Sequence, residues 1–205
     1  MLTLSTEQMT DYRIINSTEP SGERLNALIS SLPQWRREAA MKFRFEQGRR
    51  ECCLSYLLLC DMLKESFGIT EQPHFVIGEH GKPVLDIAGV DIAFNFSHCK
   101  RAIACVVSDT ENVGIDVECT GRYTPALAEY CMSEAENKAI LRADSPDQKF
   151  TELWTRKEAL LKLTGEGITD DLKTVLTTER TQGVKLKGNI AQNGLYAWCV
   201  ATKKR

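Results

Sequence analysis

Two carboxylates stand two residues apart in Gly114-Ile115-Asp116-Val117-Glu118. In a β-strand, side chains two apart share a face, so Asp116 and Glu118 present paired negative charge while Ile115 and Val117 turn toward a core. Like charges held side by side repel unless a cation or solvent relieves them. A second stretch, Trp154-Thr155-Arg156-Lys157-Glu158-Ala159-Leu160-Leu161-Lys162, reads as helix, with Trp154, Glu158 and Lys162 on one line at i, i+4 and i+8. Each feature alone has a bland reading: a polar strand end, and an exposed Glu–Lys pair contributing about a few tenths of a kcal/mol. Combined, Asp116, Glu118 and Glu158 suit a hard divalent cation such as Mg2+, which takes oxygen ligands and keeps positions open for water and phosphate. Lys162, one turn on, suits a phosphate or a leaving group.

Two further stretches fit an anionic ligand. Lys82 sits beside the tight turn Gly81-Lys82-Pro83, and Ser97 and His98 close the strand-like run Asn95-Phe96-Ser97-His98, where a hydroxyl and an imidazole can donate to phosphate oxygens. Upstream, residues 34–50 carry Arg36, Arg37, Lys42, Arg44, Arg49 and Arg50, interleaved with Phe43 and Phe45.

The elements that must hold these residues follow from periodicity. A helical stretch opens at Leu32-Pro33, with Ser31 as cap, and a second helix over about 46–66 stops at Gly68. Strands are expected at 74–77, 92–97, 102–107 and 113–118, with turns at 81–83 and 109–112. Capping boxes at 133–136 and 145–148 start helices reaching about 141 and about 164, the latter ended by Gly165. Strands near 173–178, 184–186 and 196–201 close the chain. The order is that of an α+β fold with antiparallel sheets, since strands and helices do not alternate regularly. Each half contains helices and a sheet, but no internal repeat shows in the letters.

With 205 residues, 42% of them hydrophobic and 26% charged, the chain can build a sizeable core. A net charge of -2 gives no reason to expect nucleic-acid binding. No basic start followed by an apolar run marks a leader, and the apolar run at 54–63 is too short to span a bilayer, so a cytoplasmic protein without membrane attachment is expected. The eight cysteines include no C-x-x-C pair, and His74 and His80 have no partner at ligand spacing, so small buried thiols are expected rather than disulfides or zinc.

The order G-K-P, F-N-F-S-H, G-I-D-V-E, W-T-R-K-E-A-L-L-K, running from Gly81 to Lys162, resembles the 4'-phosphopantetheinyl transferase superfamily in its long single-chain form. The resemblance implies an Mg2+-dependent enzyme that moves 4'-phosphopantetheine from coenzyme A to a serine of an apo acyl or peptidyl carrier protein, in fatty-acid, polyketide or non-ribosomal peptide synthesis. It implies Asp116, Glu118 and Glu158 as magnesium ligands, Glu158 and Lys162 as catalytic residues, and Lys82, Pro83, Ser97, His98 and Lys162 at coenzyme A. Arg36, Lys42 and Arg50, with Arg49 as the alternative register, fall in the basic segment that reaches the 3'-phosphate. Glu136 falls near the incoming arm or a metal-bound water, and Cys99 stands where the family often has a small hydroxyl residue. The implied fold is two similar α+β lobes, 1–108 and 109–205, with the site between them in a monomer. Arg122, Tyr123, Cys131 and Met132 are weighed as part of a carrier-binding surface and read instead as ordinary surface and core residues. Two rival readings stand beside this one: another magnesium-dependent phosphotransferase, disfavoured by the lack of a Walker-type glycine loop, and a catalytically silent module that binds carrier protein or coenzyme A.

Overall fold

A computed structural model describes residues 9–78, 82–167 and 171–205; Gly81, the first residue of the G-K-P turn, lies outside them. One antiparallel sheet has the order β1 (Thr10–Asn16), β5 (Ala102–Ser108), β4 (Ala93–His98). β5 is buried along its whole length, as an all-apolar central strand must be. Helices α1 (Gly22–Ser31), α2 (Gln34–Met41) and α3 (Glu46–Phe67) belong to this half of the chain. α3 lays Leu58, Leu59, Met62 and Leu63 against Phe94, Ile103, Cys105 and Val107. It ends at Gly68, whose φ of 69° is left-handed, a conformation that glycine adopts without steric cost. β2 (Phe75–Ile77) pairs antiparallel with β3 (Pro83–Leu85), which begins directly after Lys82.

The second antiparallel sheet has the order β6 (Glu111–Cys119), β8 (Tyr196–Lys204), β7 (Lys185–Ile190). Its helices are α4 (Pro125–Cys131), α5 (Glu134–Arg142), α6 (Pro146–Thr164) and the short α7 (Thr178–Thr181). α6 packs Ala159, Leu160 and Leu163 in one cluster with Cys199 and Ala201 of β8. The Ser133–Glu136 capping box forms in both directions, whereas at 145–148 only the Ser145 side chain caps. The strand expected at 173–178 does not form. Residues Leu172–Thr174 make a 3-10 turn and α7 follows. Buried Leu172 and Val175 are three apart, which suits a helical turn against the α6 core and not a strand's alternation. β1, α1 and α4 are not among the elements expected from sequence, although Thr124-Pro125 is a cap signal for α4.

The two sheets meet in a third core, where Ala102, Ala104 and Val106 of β5 face Val113, Ile115 and Val117 of β6 and Val200 of β8. β4 is joined to β6 by side chains: Asn95 Oδ1 accepts the Ile115 N–H at 3.0 Å, and Ser97 Oγ accepts the Val117 N–H at 3.4 Å. Lys82 Nζ donates to the Val113 carbonyl at 3.0 Å and to the Leu163 carbonyl at 3.3 Å, tying β6 to the last turn of α6. Burial holds its pKa below the usual lysine value.

β6 and α6 touch backbone to backbone at Gly114. A Cβ there would lie 2.2 Å from the Ala159 carbonyl oxygen and 2.5 Å from the Leu163 nitrogen. Neither atom belongs to a side chain that can swing away. Gly114→Ala is therefore expected to cost at least about 1–3 kcal/mol, the range of core overpacking. Urea unfolding reads this as a lower midpoint, and an unchanged midpoint would mean that the strand and helix are not seated this closely.

Candidate active site

That contact brings the two acidic motifs to one place. β4 supplies Ser97 and His98, β6 supplies Asp116 and Glu118, and α6 supplies Trp154, Glu158 and Lys162 to an open cleft of about 780 Å³. The strand and helix spacings read from the sequence thus converge on the same side of β6 and α6. Ile115 and Val117 are fully buried on the opposite face of β6.

Asp116 is more deeply placed than a strand-end carboxylate, with 2% of its surface exposed. Its Oδ1 accepts from Lys162 Nζ at 2.7 Å and from Ser97 Oγ at 2.9 Å. Lys162 Nζ also reaches Ser97 Oγ at 2.8 Å. Asp116 Oδ2 and Glu158 Oε1 are buried with no hydrogen-bond partner. A buried carboxylate oxygen without a donor is costly, and an oxygen-seeking cation satisfies that need. Glu118 is held by Arg122 Nη1 at 3.2 Å. Burial, then the charge of Asp116, pushes the carboxyls of Glu118 and Glu158 above their ordinary range.

Among the described residues no three or more His, Cys, Asp or Glu side chains come close enough together to hold a metal ion. Asp116, Glu118 and Glu158 line the cleft without closing on one point. One oxygen of Asp116 is engaged by Lys162.

The remaining sequence expectations fall in several places. His98 lines the cleft at the end of β4, with its imidazole Nδ1 3.2 Å from Glu51 Oε2. Lys82 is occupied by the two carbonyls named above, and Pro83 begins β3; neither lines the carboxylate cleft, and both border a neighbouring hollow with Asn112 and Arg205. Arg36 is not brought to the cleft. It is buried among the rings of Trp35, Tyr56 and Phe75, with its guanidinium donating to the Cys52 carbonyl at 2.6 Å. The α2 periodicity that turns it inward also explains this, because Arg36 and Ala40 are the buried residues of that helix. Lys42 is exposed at the end of α2, Arg49 Nε donates to the Phe43 carbonyl, and Arg50 Nε donates to the Ser17 carbonyl at 2.6 Å. None of these three lines the cleft.

Glu136 is likewise absorbed by the fold. Its carboxylate caps α5 and pairs at 2.9 Å with Lys157, whose side chain is fully buried and also donates to the Leu172 carbonyl at 2.8 Å. Lys157 is a brace inside the second half, while its neighbour Glu158 faces the cleft. Cys131 and Met132 are core residues. Arg122 is exposed, yet it borders both the cleft and an adjoining apolar hollow of about 330 Å³ with Leu127, Phe150 and Trp154. All eight cysteines are free. Asn95, Glu51 and the cleft role of Arg122 were not singled out from sequence; for Asn95, its position two before Ser97 on one strand face was the available signal.

A cleft with three carboxylates, a reaching lysine and a flanking hydroxyl and imidazole suits an enzyme that acts on an anionic group. The chain matches the profile of the 4'-phosphopantetheinyl transferase superfamily over residues 112–204. It is 32% identical over 154 residues to the 4'-phosphopantetheinyl transferase AcpT of Salmonella typhimurium, covering 73% of this chain and 70% of that one. It is 31% identical over 197 residues to the 4'-phosphopantetheinyl transferase HetI of Nostoc sp., covering 91% and 81%. With the 4'-phosphopantetheinyl transferase Sfp of Bacillus subtilis it shares 27% identity over 161 residues, 77% and 70% of the two chains. The chain belongs to the 4'-phosphopantetheinyl transferase superfamily, in its long single-chain form.

Proposed function

We propose that this chain is a holo-carrier-protein synthase: it transfers 4'-phosphopantetheine from coenzyme A to a serine of an apo acyl or peptidyl carrier protein, releases adenosine 3',5'-bisphosphate, and depends on Mg2+. Beyond family membership, the observation that carries this reading is the pair of buried, donor-less oxygens, Asp116 Oδ2 and Glu158 Oε1, in the cleft that Lys162 enters. Asp116, Glu118 and Glu158 would hold the ion. When bound, Mg2+ supplies charge neutralisation at the pyrophosphate.

The residues then divide the work. Glu158, whose carboxyl is held above the usual range, takes the serine proton. The serine oxygen bonds to phosphorus, the bond to the bisphosphate breaks, and the departing oxygen keeps the electron pair. Lys162, fixed by Asp116 and Ser97, meets that developing charge. Ser97 and His98 orient the phosphates. Residues 1–108 and 109–205 are two similar lobes with the cleft between them, acting as a cytoplasmic monomer. Among the described residues no helix is long and apolar enough to cross a membrane.

Incubating the protein with coenzyme A, Mg2+ and a panel of apo carriers tests this by intact mass. The expected result is a gain of one phosphopantetheinyl group on at least one carrier, abolished by EDTA. Carrier capture without any mass gain would support a silent binding module instead, and label transferred from ATP but not from coenzyme A would support a different phosphotransferase.

The cleft also gives the stability a pH signature. Because the folded-state pKa values of Glu118 and Glu158 are raised above 4.5, their contribution is fully present below that value and is lost as pH rises through the raised pKa values. Mg2+ binds the deprotonated form, so the gain in Tm on adding it should grow across that window. Thermal melts at pH 5 and pH 7.5 are expected to show the larger gain at pH 7.5, and equal gains would argue against carboxylate ligation.

A further inference from the structure

Among the described residues two carboxylic acids are buried, Asp116 and Glu51. The mechanism above uses the first and leaves the second unexplained. Glu51 lies on α3, far in sequence from the acidic motifs, and is 6% exposed. A carboxylate this deep needs partners for both oxygens. Gln47 Nε2, one turn earlier on α3, donates to Oε1 at 2.8 Å. His98 Nδ1 lies 3.2 Å from Oε2. His98 is the last residue of β4 and follows Ser97, which touches both Asp116 and Lys162.

The His98 ring itself is 44% exposed and borders the cleft. An imidazole that open samples several rotamers unless something holds it, and ordering it at the moment of binding weakens the ligand. The 3.2 Å ion-pair contact with Glu51 restricts that freedom and turns Nδ1 toward the protein side. Nδ1 is taken up on the protein side, so Nε2 is the nitrogen left for a ligand, and the imidazolium, which carries a hydrogen on both nitrogens, can donate from Nε2 to a phosphate oxygen. Gln47, exposed in the first turn of α3, in turn holds the other oxygen of the Glu51 carboxylate, so the buried Glu51 is tied on one side to its own helix and on the other to the rim of the cleft.

We propose that Glu51 is a positioning residue for phosphate binding: its buried carboxylate holds the His98 imidazole through Nδ1 and leaves Nε2 for a phosphate group of the ligand. This rests on the reading of the cleft as a coenzyme A site. The role belongs to the half of the chain that carries none of the three candidate metal ligands, and it gives that half a direct part in substrate affinity.

The test is a mutant cycle read in coenzyme A KM and kcat in the presence of Mg2+ and apo carrier. Glu51→Ala is expected to raise KM by about tenfold, with kcat within about twofold. His98→Ala should do the same, and the double variant should be no worse than His98→Ala alone. Glu51→Gln, which keeps an acceptor for Nδ1–H, should restore KM to within about threefold. Effects of Glu51→Ala and His98→Ala that multiply would overturn the proposal, as would a kcat loss with KM unchanged. Nitrogen NMR of the unaltered protein gives a readout that needs no variant to fold. The His98 ring, assigned by its loss in His98→Ala, should show a protonated Nδ1, and a bare Nδ1 with the proton on Nε2 overturns the contact. Failure of the unaltered protein to bind or use coenzyme A would instead sink the reading of the cleft, while the NMR result would still decide the Glu51–His98 contact.

Discussion

Asp116→Asn is expected to lower phosphopantetheine transfer by at least about 100-fold while leaving the fold intact. Asparagine keeps the shape of the side chain and an oxygen able to accept from Lys162 and Ser97, the two donors now at Oδ1. What it removes is negative charge at a site with 2% exposure, where electrostatic effects are strong. Lys162 then faces a neutral partner, and the unpaired Oδ2 that suits a cation becomes an amide nitrogen. The loss should appear in kcat/KM across Mg2+ concentrations, with a urea midpoint close to that of the unaltered protein. A variant that keeps a third or more of the rate with unchanged Mg2+ dependence would remove Asp116 from the site.

The second large effect concerns stability. Lys157 is a fully buried cation whose partners are Glu136 at 2.9 Å and the Leu172 carbonyl at 2.8 Å. Lys157→Met deletes one member of a buried pair and strands the other, a change that costs about 3–5 kcal/mol. It should also loosen the start of α5, because Glu136 is a member of that helix's capping box. Adding Glu136→Gln should recover part of the loss, since the stranded charge is then gone. Urea unfolding of the single and double variants measures this. Below the unfolding transition the single variant should retain transfer activity, because Lys157 does not line the cleft. A loss of activity without a loss of stability would give Lys157 a direct catalytic role.

These two residues show where sequence reasoning reached and where it stopped. The period-2 placement of Asp116 and Glu118, and the one-turn spacing of Trp154, Glu158 and Lys162, were legible because each depends only on local geometry. The sequence could not say that Gly114 lets α6 approach β6 until backbone touches backbone, which is what joins the two motifs. Nor could it say that Asp116 would be buried rather than exposed, because that depends on how β4 closes over β6 through Asn95 and Ser97. The basic segment was read by composition alone. Arg36 was expected at a phosphate and is packed instead among Trp35, Tyr56 and Phe75, since nothing in a run of arginines tells which one the helix turns inward. The strand expected at 173–178 failed for a related reason: the segment was read by its β-favouring composition, while the three-residue spacing of Leu172 and Val175 suits the helical turn that packs on the α6 core. The long, capped elements came through with boundaries close to those expected, α6 above all, from Pro146 to the left-handed Gly165.

The central claim is that Asp116, Glu118 and Glu158 together hold a divalent ion in the cleft that Lys162 enters. Titrating Mn2+ as a magnesium substitute into the protein with coenzyme A present, and counting bound ions by electron paramagnetic resonance, tests it most directly. The account predicts one ion per chain, with binding lost or severely weakened in Asp116→Asn and in Glu158→Gln. Undiminished binding of one ion in both variants would place the metal elsewhere and contradict the site described.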